Sequence, residues 1–168
     1  MIKVGQTWKT KGGAVVTIIR GSRLGDWYVQ RENGAQGYNV ANDGKSPYLE
    51  SYDLGTQMMR AYIAGPMTGH ADLNFPAFHA AAKLYRDRGC YVINPAEING
   101  GADEPAQYAA MEPKVQFEHW VTCMKKDIAA VLTCEMIVML PGWRDSKGAS
   151  LEYTVASALG LTVTYLDV

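Results

Sequence analysis

Cysteine is scarce in this chain, and its cysteines and histidines do not have the spacing of a metal site. The three cysteines are Cys90, Cys123 and Cys134, and an odd number does not suit a framework of paired disulfides. We expect reduced thiols packed in apolar surroundings, as in a cytoplasmic protein. His70 and Asp72 offer only two ligands in one loop, so we predict neither a metal nor another cofactor.

Long apolar runs and an excess of positive charge are also missing. No apolar run is long enough to cross a membrane, and the first residues lack the apolar core of a signal peptide. The net charge of -1 gives no strong nucleic-acid signal. A hydrophobic content of 48% supports a packed core in a chain of 168 residues. We expect a cytoplasmic protein with a small-molecule partner.

The beginning of the chain favours a small antiparallel β module. Residues 1–54 are rich in Gly, Tyr, Trp and Val, in short runs between turn signals. The predicted strands are residues 14–20, 26–31 and 36–40. Asn33-Gly34 and Asp43-Gly44 indicate hairpins, because these residue types tolerate a positive φ. We predict an SH3-like sheet or barrel that occupies residues 1–57.

Strand-like and helix-like segments alternate from residue 58 onward. The predicted strands are residues 60–64, 90–93, 135–140 and 161–166. The predicted helices are residues 75–86, 115–132 and 148–159, and residues 94–113 are predicted to form a polar loop. This alternation is typical of a mostly parallel sheet with helices on both faces. We predict a Rossmann-like (flavodoxin-like) α/β domain that occupies residues 58–168.

The loop after the first strand of that domain is a candidate binding segment. Gly65 and Gly69 would let the backbone approach a ligand closely. Exposed amides together with Thr68 could hold a phosphate or a sugar hydroxyl. A simple Gly-Pro turn without a ligand explains the same residues.

Two carboxylates are the candidate chemical groups. Asp127 borders the apolar face of its predicted helix, where it either belongs to a ligand site or pairs with a surface lysine. Glu152 follows a helix start, where the macrodipole favours its ionised form. An ionised carboxylate near the anomeric carbon of a sugar can act as the nucleophile of glycosidic chemistry. The alternative is a glutamate that only stabilises its helix.

The loop before Glu152 follows an apolar strand, which is the usual place of a ligand site in an open α/β sheet. Trp143 could stack on a base or pack in the core, and Asp145 lines the same loop. Ser146 could contact a ligand or cap the next helix. Gly148 lies at the start of that helix.

These segments together resemble the nucleoside 2-deoxyribosyltransferase-like superfamily, and within it the phage- and prophage-associated DUF4406 family. The resemblance extends over roughly residues 60–168 and does not reach the first module. The residues that carry it are Tyr-Ile-Ala-Gly-Pro-Met-Thr-Gly at 62–69, Asn-Phe at 74–75, Asn-Pro-Ala at 94–96, Trp120, Met124, Asp127, Leu-Pro-Gly-Trp at 140–143, Ser-Lys-Gly-Ala at 146–149, and Glu152.

The resemblance implies enzymes that exchange bases between deoxynucleosides or hydrolyse deoxynucleoside 5'-monophosphates. It implies a nucleophilic role for Glu152, a place near the leaving base for Asp127, and an orienting role for Tyr62. It also implies that Met67, together with Thr68 and Gly69, holds a 5'-phosphate. A homo-oligomer is implied as well, and the cytoplasm of a bacterial host if the protein is phage-encoded.

This chain departs from the superfamily pattern in two places. Superfamily enzymes often have Glu-Leu-Gly at the nucleophile, whereas this chain has Glu-Tyr-Thr at 152–154. The long segment 94–113 is expected to reshape or cover the pocket.

Two other functions fit the same residues. The first is a non-catalytic nucleotide-binding or sensing protein of phage origin. The second is a lysine-decarboxylase-like phosphoribohydrolase that cleaves ribonucleoside monophosphates, because Pro141-Gly142, Gly148-Ala149 and Glu152 loosely resemble the Pro-Gly-Gly-x-Gly-Thr-x-x-Glu motif of those enzymes.

Overall fold

A computed structural model describes residues 2–21, 26–32, 34–35, 37–41, 43–46, 54–99 and 104–166. The chain divides into two compact units, Met1–Met59 and Arg60–Val168. Of the predicted turn and strand residues, Asn33 and Gln36 lie outside the described residues. Within the described residues, none of the helices combines the length and apolar character needed to cross a membrane.

The first unit holds an antiparallel sheet. Its strands are β1 (Thr7–Thr10), β2 (Val15–Gly21), β3 (Trp27–Arg31), β4 (Tyr38–Val40) and β5 (Leu54–Met58). They lie in the order β4-β3-β2-β1-β5, and every neighbouring pair is antiparallel. The predicted antiparallel arrangement is therefore confirmed, whereas its class as an SH3-like sheet or barrel stays a prediction.

Strands β1 and β5 were absent from the sequence prediction because their residues lack a clear apolar alternation. The buried positions of β1 are the hydroxyl residues Thr7 and Thr10. The middle of β5 is Gly-Thr-Gln, which is exposed. By contrast, β2 buries alternate apolar residues, Val16 and Ile18, and was predicted to within a residue.

The second unit is an α/β domain built on a parallel sheet. Its strands are β6 (Arg60–Ala64), β7 (Tyr91–Ile93), β8 (Met136–Met139) and β9 (Thr162–Tyr165), in the order β7-β6-β8-β9. Its helices are α1 (Phe75–Asp87), α2 (Pro95–Ile98), α3 (Glu104–Ala109), α4 (Pro113–Val131) and α5 (Lys147–Ala158). The predicted parallel sheet is confirmed.

Helices cover both faces of this sheet, as predicted. On β6, Ala61 and Ile63 join a core with α1, whereas Tyr62 and Ala64 point to the opposite core, which includes residues of α4 and α5. The alternation follows from the two-residue repeat of a strand. It places the Tyr62 side chain on the α4 and α5 side.

The prediction of an irregular loop over residues 94–113 is wrong, because this segment contains α2 and α3. The start of α2 is well specified: the Asn94 side chain accepts a hydrogen bond from the Ala96 amide at 3.0 Å, and Pro95 occupies the first turn. The Gly100-Gly101 pair lies outside the described residues.

The strand order creates a switch point between β6 and β8. The chain leaves β6 through α1 to reach β7 on one side, and it leaves β8 through α5 to reach β9 on the other side. Ligands of open α/β sheets bind outside the carboxyl ends of such a pair of strands. The two loops singled out from the sequence follow these two strands.

Candidate active site

A cleft lies at the carboxyl ends of β6 and β8. It encloses about 620 Å³, including its open mouth. The lining combines apolar and aromatic side chains with a few polar groups: Gly65, Met67, Thr68, Leu73, Phe78, Pro95, Asn99, Tyr108, His119, Trp120, Cys123, Met124, Asp127, Ser146, Gly148, Ala149 and Glu152.

A buried tyrosine and a buried carboxyl group meet at the wall of this cleft. Tyr62 Oη donates a hydrogen bond to Glu152 Oε1 at 2.7 Å. The Tyr62 side chain is fully buried, and Glu152 is 5% exposed. Strand β6 supplies the tyrosine and α5 supplies the glutamate, so contact between sheet and helix fixes the pair.

The position of Glu152 on its helix corrects the electrostatic argument made from sequence. Glu152 is the sixth residue of α5 and lies in the second turn, beyond the part of the helix where the dipole acts strongly. Burial instead raises the pKa of the Glu152 carboxyl to about 8, the Tyr62 hydrogen bond lowers it, and the Asp127 charge raises it. Burial, followed by the charges of the two carboxylates, also raises the pKa of Tyr62 well above its usual value.

Asp127 is the second acidic group of the cleft wall. It lies on α4 and is 5% exposed. Asn99 Nδ2 donates a hydrogen bond to Asp127 Oδ1 at 2.9 Å. Of the two interpretations made from sequence, the structure favours the residue of a ligand site over a surface carboxylate.

The loop after β6 contributes three of its four candidate residues to the cleft. Gly65, Met67 and Thr68 line it, whereas Gly69 lies outside the lining. A Cβ atom on Gly65 would come within 2.7 Å of Leu140 Cβ, so glycine is required where the two loops approach each other. Gly69 lines a neighbouring groove instead, and its contact with a phosphate stays a prediction.

The segment 72–74, which follows this loop, has an unusual left-handed backbone and forms part of the same wall of the cleft. Asp72, Leu73 and Asn74 have φ values of 50°, 50° and 60°, a left-handed run without glycine. Such residues persist only where their surroundings hold them. Asn74 Nδ2 donates to the Pro66 carbonyl at 2.9 Å, and Leu73 lines the cleft.

The loop after β8 divides its candidate residues between the cleft and the core. Trp143 does not line the cleft, because its ring packs at 4.4 Å from the Tyr153 ring and is 9% exposed. This corrects the prediction of a base-stacking role. Asp145 lines only an adjoining outer groove.

Ser146 and Gly148 do line the cleft. Ser146 Oγ accepts a hydrogen bond from the Ala149 amide at 3.3 Å and so caps α5, the structural role that the sequence left open. A Cβ atom on Gly148 would come within 3.1 Å of Met124 Sδ, so this glycine keeps α5 close to α4.

The cleft also contains polar residues that were not predicted from the sequence, among them Asn99, His119 and Cys123. Asn99 belongs to the segment predicted as a loop. His119 and Cys123 lie on α4, with 3.4 Å between His119 Nε2 and Cys123 Sγ. The signal was available, since 119, 123 and 127 recur at four-residue intervals on one helix face. The prediction that Cys123 is a core cysteine is wrong, because this thiol lines the cleft.

The described side chains do not assemble a metal site. No group of three or more His, Cys, Asp or Glu with suitable geometry occurs among the residues that the structure describes. The chemistry that the proposal below uses is that of two buried carboxyl groups, a tyrosine hydroxyl and an aromatic wall, beside the imidazole of His119 and the thiol of Cys123.

The fold and the cleft define an open α/β domain with a tyrosine and carboxyl site at the switch point of its sheet. Residues 59–165 match the model of the domain of unknown function DUF4406, and the chain belongs to that family. The match confirms the family named from the sequence motifs. A comparison with curated proteins finds no match.

The solved structures that are similar to the chain include the 2-desoxiribosyltransferase from Leishmania mexicana. The similarity covers 64% of this chain and 63% of that protein, less than two thirds of its length, with 21% identity and a TM-score of 0.42. Similarity at this level says nothing about activity.

Proposed function

We propose that the second unit cleaves or transfers the N-glycosidic bond of a deoxynucleoside or a deoxynucleoside 5'-monophosphate. The observation that carries this proposal is the 2.7 Å contact between Tyr62 Oη and Glu152 Oε1 in a cleft that Asp127 also lines. The aromatic and apolar lining of the cleft suits a base.

The reaction is a double displacement, and its first step forms a bond between the enzyme and the sugar. A carboxylate oxygen of Glu152 attacks C1' of the sugar and forms an ester bond, while the bond between C1' and the base nitrogen breaks. The bonding electron pair goes to the base. Asp127 donates a proton to the leaving base and becomes a carboxylate.

A second displacement restores the site. Water attacks C1', the ester bond to Glu152 breaks, and the proton of the water returns to the Asp127 carboxylate. With a different base in place of water, the same step completes a transfer. Tyr62 takes no part in bond making, but its hydrogen bond stabilises the Glu152 carboxylate whenever that group leaves.

The proposed reaction needs one proton on its two carboxyl groups. Burial and the Asp127 charge raise the pKa of Glu152 to about 8, so the empty site keeps a proton on Glu152. The reactive form has the same proton count with the proton on Asp127. Loss of the Glu152 proton near pH 8 therefore removes the proton that the reactive form needs on Asp127.

Hydrolysis of a 5'-monophosphate is favoured over base transfer between nucleosides. Thr68 lines the cleft and Lys147 lines the adjoining groove, where its Nζ lies 5.1 Å from the centroid of the Trp120 ring. A cation and a hydroxyl at the mouth suit a phosphate on the sugar.

Assembly into a homo-oligomer is part of the proposal, and light scattering of the purified chain tests it.

Chromatography of free base after incubation with each deoxynucleoside and each 5'-monophosphate tests the function. We expect base release from the parent protein and from the surface control Glu118→Gln, and none above background from Glu152→Gln. Calorimetric binding of a nucleotide with no base release would contradict the proposal and leave a nucleotide-binding protein. Preference for ribonucleotides would point to the phosphoribohydrolase reaction instead.

A further inference from the structure

One oxygen of the Asp127 carboxyl group is held by the side-chain amide of Asn99. Asn99 Nδ2 donates a hydrogen bond to Asp127 Oδ1 at 2.9 Å. An ionised carboxylate only accepts hydrogen bonds, so the amide must turn its NH₂ group toward Asp127. The other amide atom, Asn99 Oδ1, is inaccessible to solvent. The amide therefore acts on the site through Asp127.

This arrangement of Asn99 is unfavourable for the fold alone. Asn99 Oδ1 has no hydrogen-bond partner among the residues that the structure describes. A buried acceptor without a partner is destabilising, and an apolar side chain of similar size would avoid that loss. The contact of the NH₂ group with Asp127 accounts for an asparagine at this position.

The short helix α2 fixes the place from which the Asn99 side chain extends. At the start of the helix stands its cap residue, Asn94, which is fully buried. At the end of the helix the backbone N–H of Asn99 donates to the Pro95 carbonyl at 3.1 Å. Glu97 accepts two hydrogen bonds from the Arg86 guanidinium on α1, at 3.0 and 2.7 Å. The single turn is thus held at its start, at its end and against α1.

The hydrogen bond from Asn99 also determines which oxygen of Asp127 carries a proton. A donor that faces Oδ1 favours the form in which Oδ1 has no proton, so the proton of the reactive form lies on Oδ2. A general acid must lie within hydrogen-bond reach of the atom that it protonates, and small displacements of a catalytic group cost much of the rate. The orientation of this carboxyl group therefore matters for the reaction.

We propose that Asn99 is a positioning residue, which holds Oδ1 of Asp127 so that the proton passes from Oδ2 to the leaving base. This inference rests on the proposed function. In this step the bond between Oδ2 and the proton breaks while a bond between the proton and the base forms. The carboxylate that results is stabilised by the hydrogen bond from Asn99.

A double-mutant cycle tests the proposal with the deoxynucleoside or deoxynucleotide that the parent cleaves fastest. Asn99→Leu should lower kcat by roughly 10- to 100-fold where Asp127 is present. In the Asp127→Asn protein the same change should lower kcat by less than about threefold, because the proton donor is already missing. Asn99→Ala provides a second variant of smaller volume. Ile98→Ala, which changes an exposed neighbour, is the control.

Binding of the same compound separates positioning from damage to the cleft. Glu152→Gln lacks the nucleophile, so calorimetry of this variant measures binding without turnover. Adding Asn99→Leu to it should change Kd by less than about threefold, because a positioning residue acts on the reaction step and not on uniform binding.

The possible outcomes distinguish this inference from the proposed function. Equal losses of kcat with and without Asp127, or an unchanged kcat in both Asn99 variants, would overturn the inference and leave the glycosidic function in place. A loss of binding as large as the loss of kcat would also overturn it, since Asn99 would then support the cleft as a whole. If the parent releases no base, the proposed function fails and this inference fails with it.

Discussion

The two units bury polar groups of different kinds. In the described part of the first unit the buried polar residues are Thr7 and Thr10, whereas in the second unit they are Asn94, Asp127 and Glu152. Threonine hydroxyls are neutral and small, whereas an ionised carboxyl group loses much more hydration free energy when it is buried. Among the described residues, the second unit therefore buries carboxyl groups, whereas the first unit buries only neutral polar groups.

The partners of these groups show what each burial achieves. Thr10 Oγ1 accepts a hydrogen bond from the Ala14 amide at 3.0 Å, and Thr7 Oγ1 lies 3.3 Å from Thr17 Oγ1 across the β1–β2 pair. These contacts hold the sheet together. Glu152 and Asp127 are held by Tyr62 and Asn99 at a cleft, where ionisable groups with shifted pKa values mark candidate functional sites.

The largest expected effect comes from removing the nucleophile. Glu152→Gln keeps the shape of the side chain but cannot form a stable ester with C1', so base release should fall by at least about 10⁴-fold. Thr10→Val, which removes a buried hydroxyl of the first unit, should leave base release within about threefold of the parent. Initial rates by chromatography measure both. Comparable losses in the two variants would break the contrast between the units.

Removing the proton donor should have the next largest effect. Asp127→Asn should lower kcat/KM by roughly 10²- to 10³-fold, the usual range for general acid catalysis. In the parent, kcat/KM should fall as the pH rises above about 8, because Glu152 then loses the proton that the reactive form needs on Asp127. A rate that keeps rising through pH 8 would show that Asp127 gives no proton to the base.

Tyr62→Phe should have a smaller effect with a distinct signature. The lost hydrogen bond stabilises the Glu152 carboxylate, so the rate should fall roughly 10- to 100-fold. Because that bond lowers the pKa of Glu152, the alkaline fall in kcat/KM should move to higher pH in the variant. A pH–rate profile checks both effects, and an unmoved alkaline limb would exclude the stabilising role of Tyr62.

The smallest expected effects are changes in the free energy of unfolding. They have opposite signs for Glu152→Gln in the second unit and Thr10→Val in the first. The pKa of Glu152 is raised from an ordinary value of 4.5 to about 8, so the unfolded chain ionises first and stability is lost as the pH rises between these values. Glu152→Gln should therefore raise the free energy of unfolding at pH 8, by on the order of 2 kcal/mol. The gain should shrink at pH 5.

Thr10→Val is the matched control for this measurement. It leaves the Ala14 amide without its side-chain acceptor, so it should lower the free energy of unfolding by about 1 kcal/mol at both pH values. Urea denaturation at pH 5 and pH 8 measures both variants. A Glu152→Gln protein that is less stable than the parent at pH 8 would mean that the carboxyl group serves the fold.

The fold of the second unit followed from its sequence because the signals agree. The strands β6 and β8 are short apolar runs that end in glycine-containing loops, and the helices have apolar residues at regular spacing. The carboxyl ends of parallel strands share one edge of a sheet, so the sequence alone predicts that both loops lie at one site.

Other features depend on contacts that no local pattern encodes. The burial of Glu152 sets its protonation, and sequence position on the helix suggested the opposite direction. Trp143 lies in a loop, but its ring packs in the core against the rings of Tyr153 on α5 and Tyr165 on β9. Asn99 follows the short helix α2. The local sequence signals for this helix are its cap residue, Asn94, and Pro95 in its first turn.

Mass spectrometry of a trapped intermediate tests the central claim most directly. The parent protein is incubated with its fastest deoxynucleotide, quenched in acid during the first turnovers and digested. The account predicts one peptide, containing Glu152, that gains the mass of the deoxyribosyl group or its phosphate, and no such gain in Glu152→Gln. Base release at the parental rate with the adduct on another residue, or with no adduct under conditions that preserve a glycosyl ester, would contradict it.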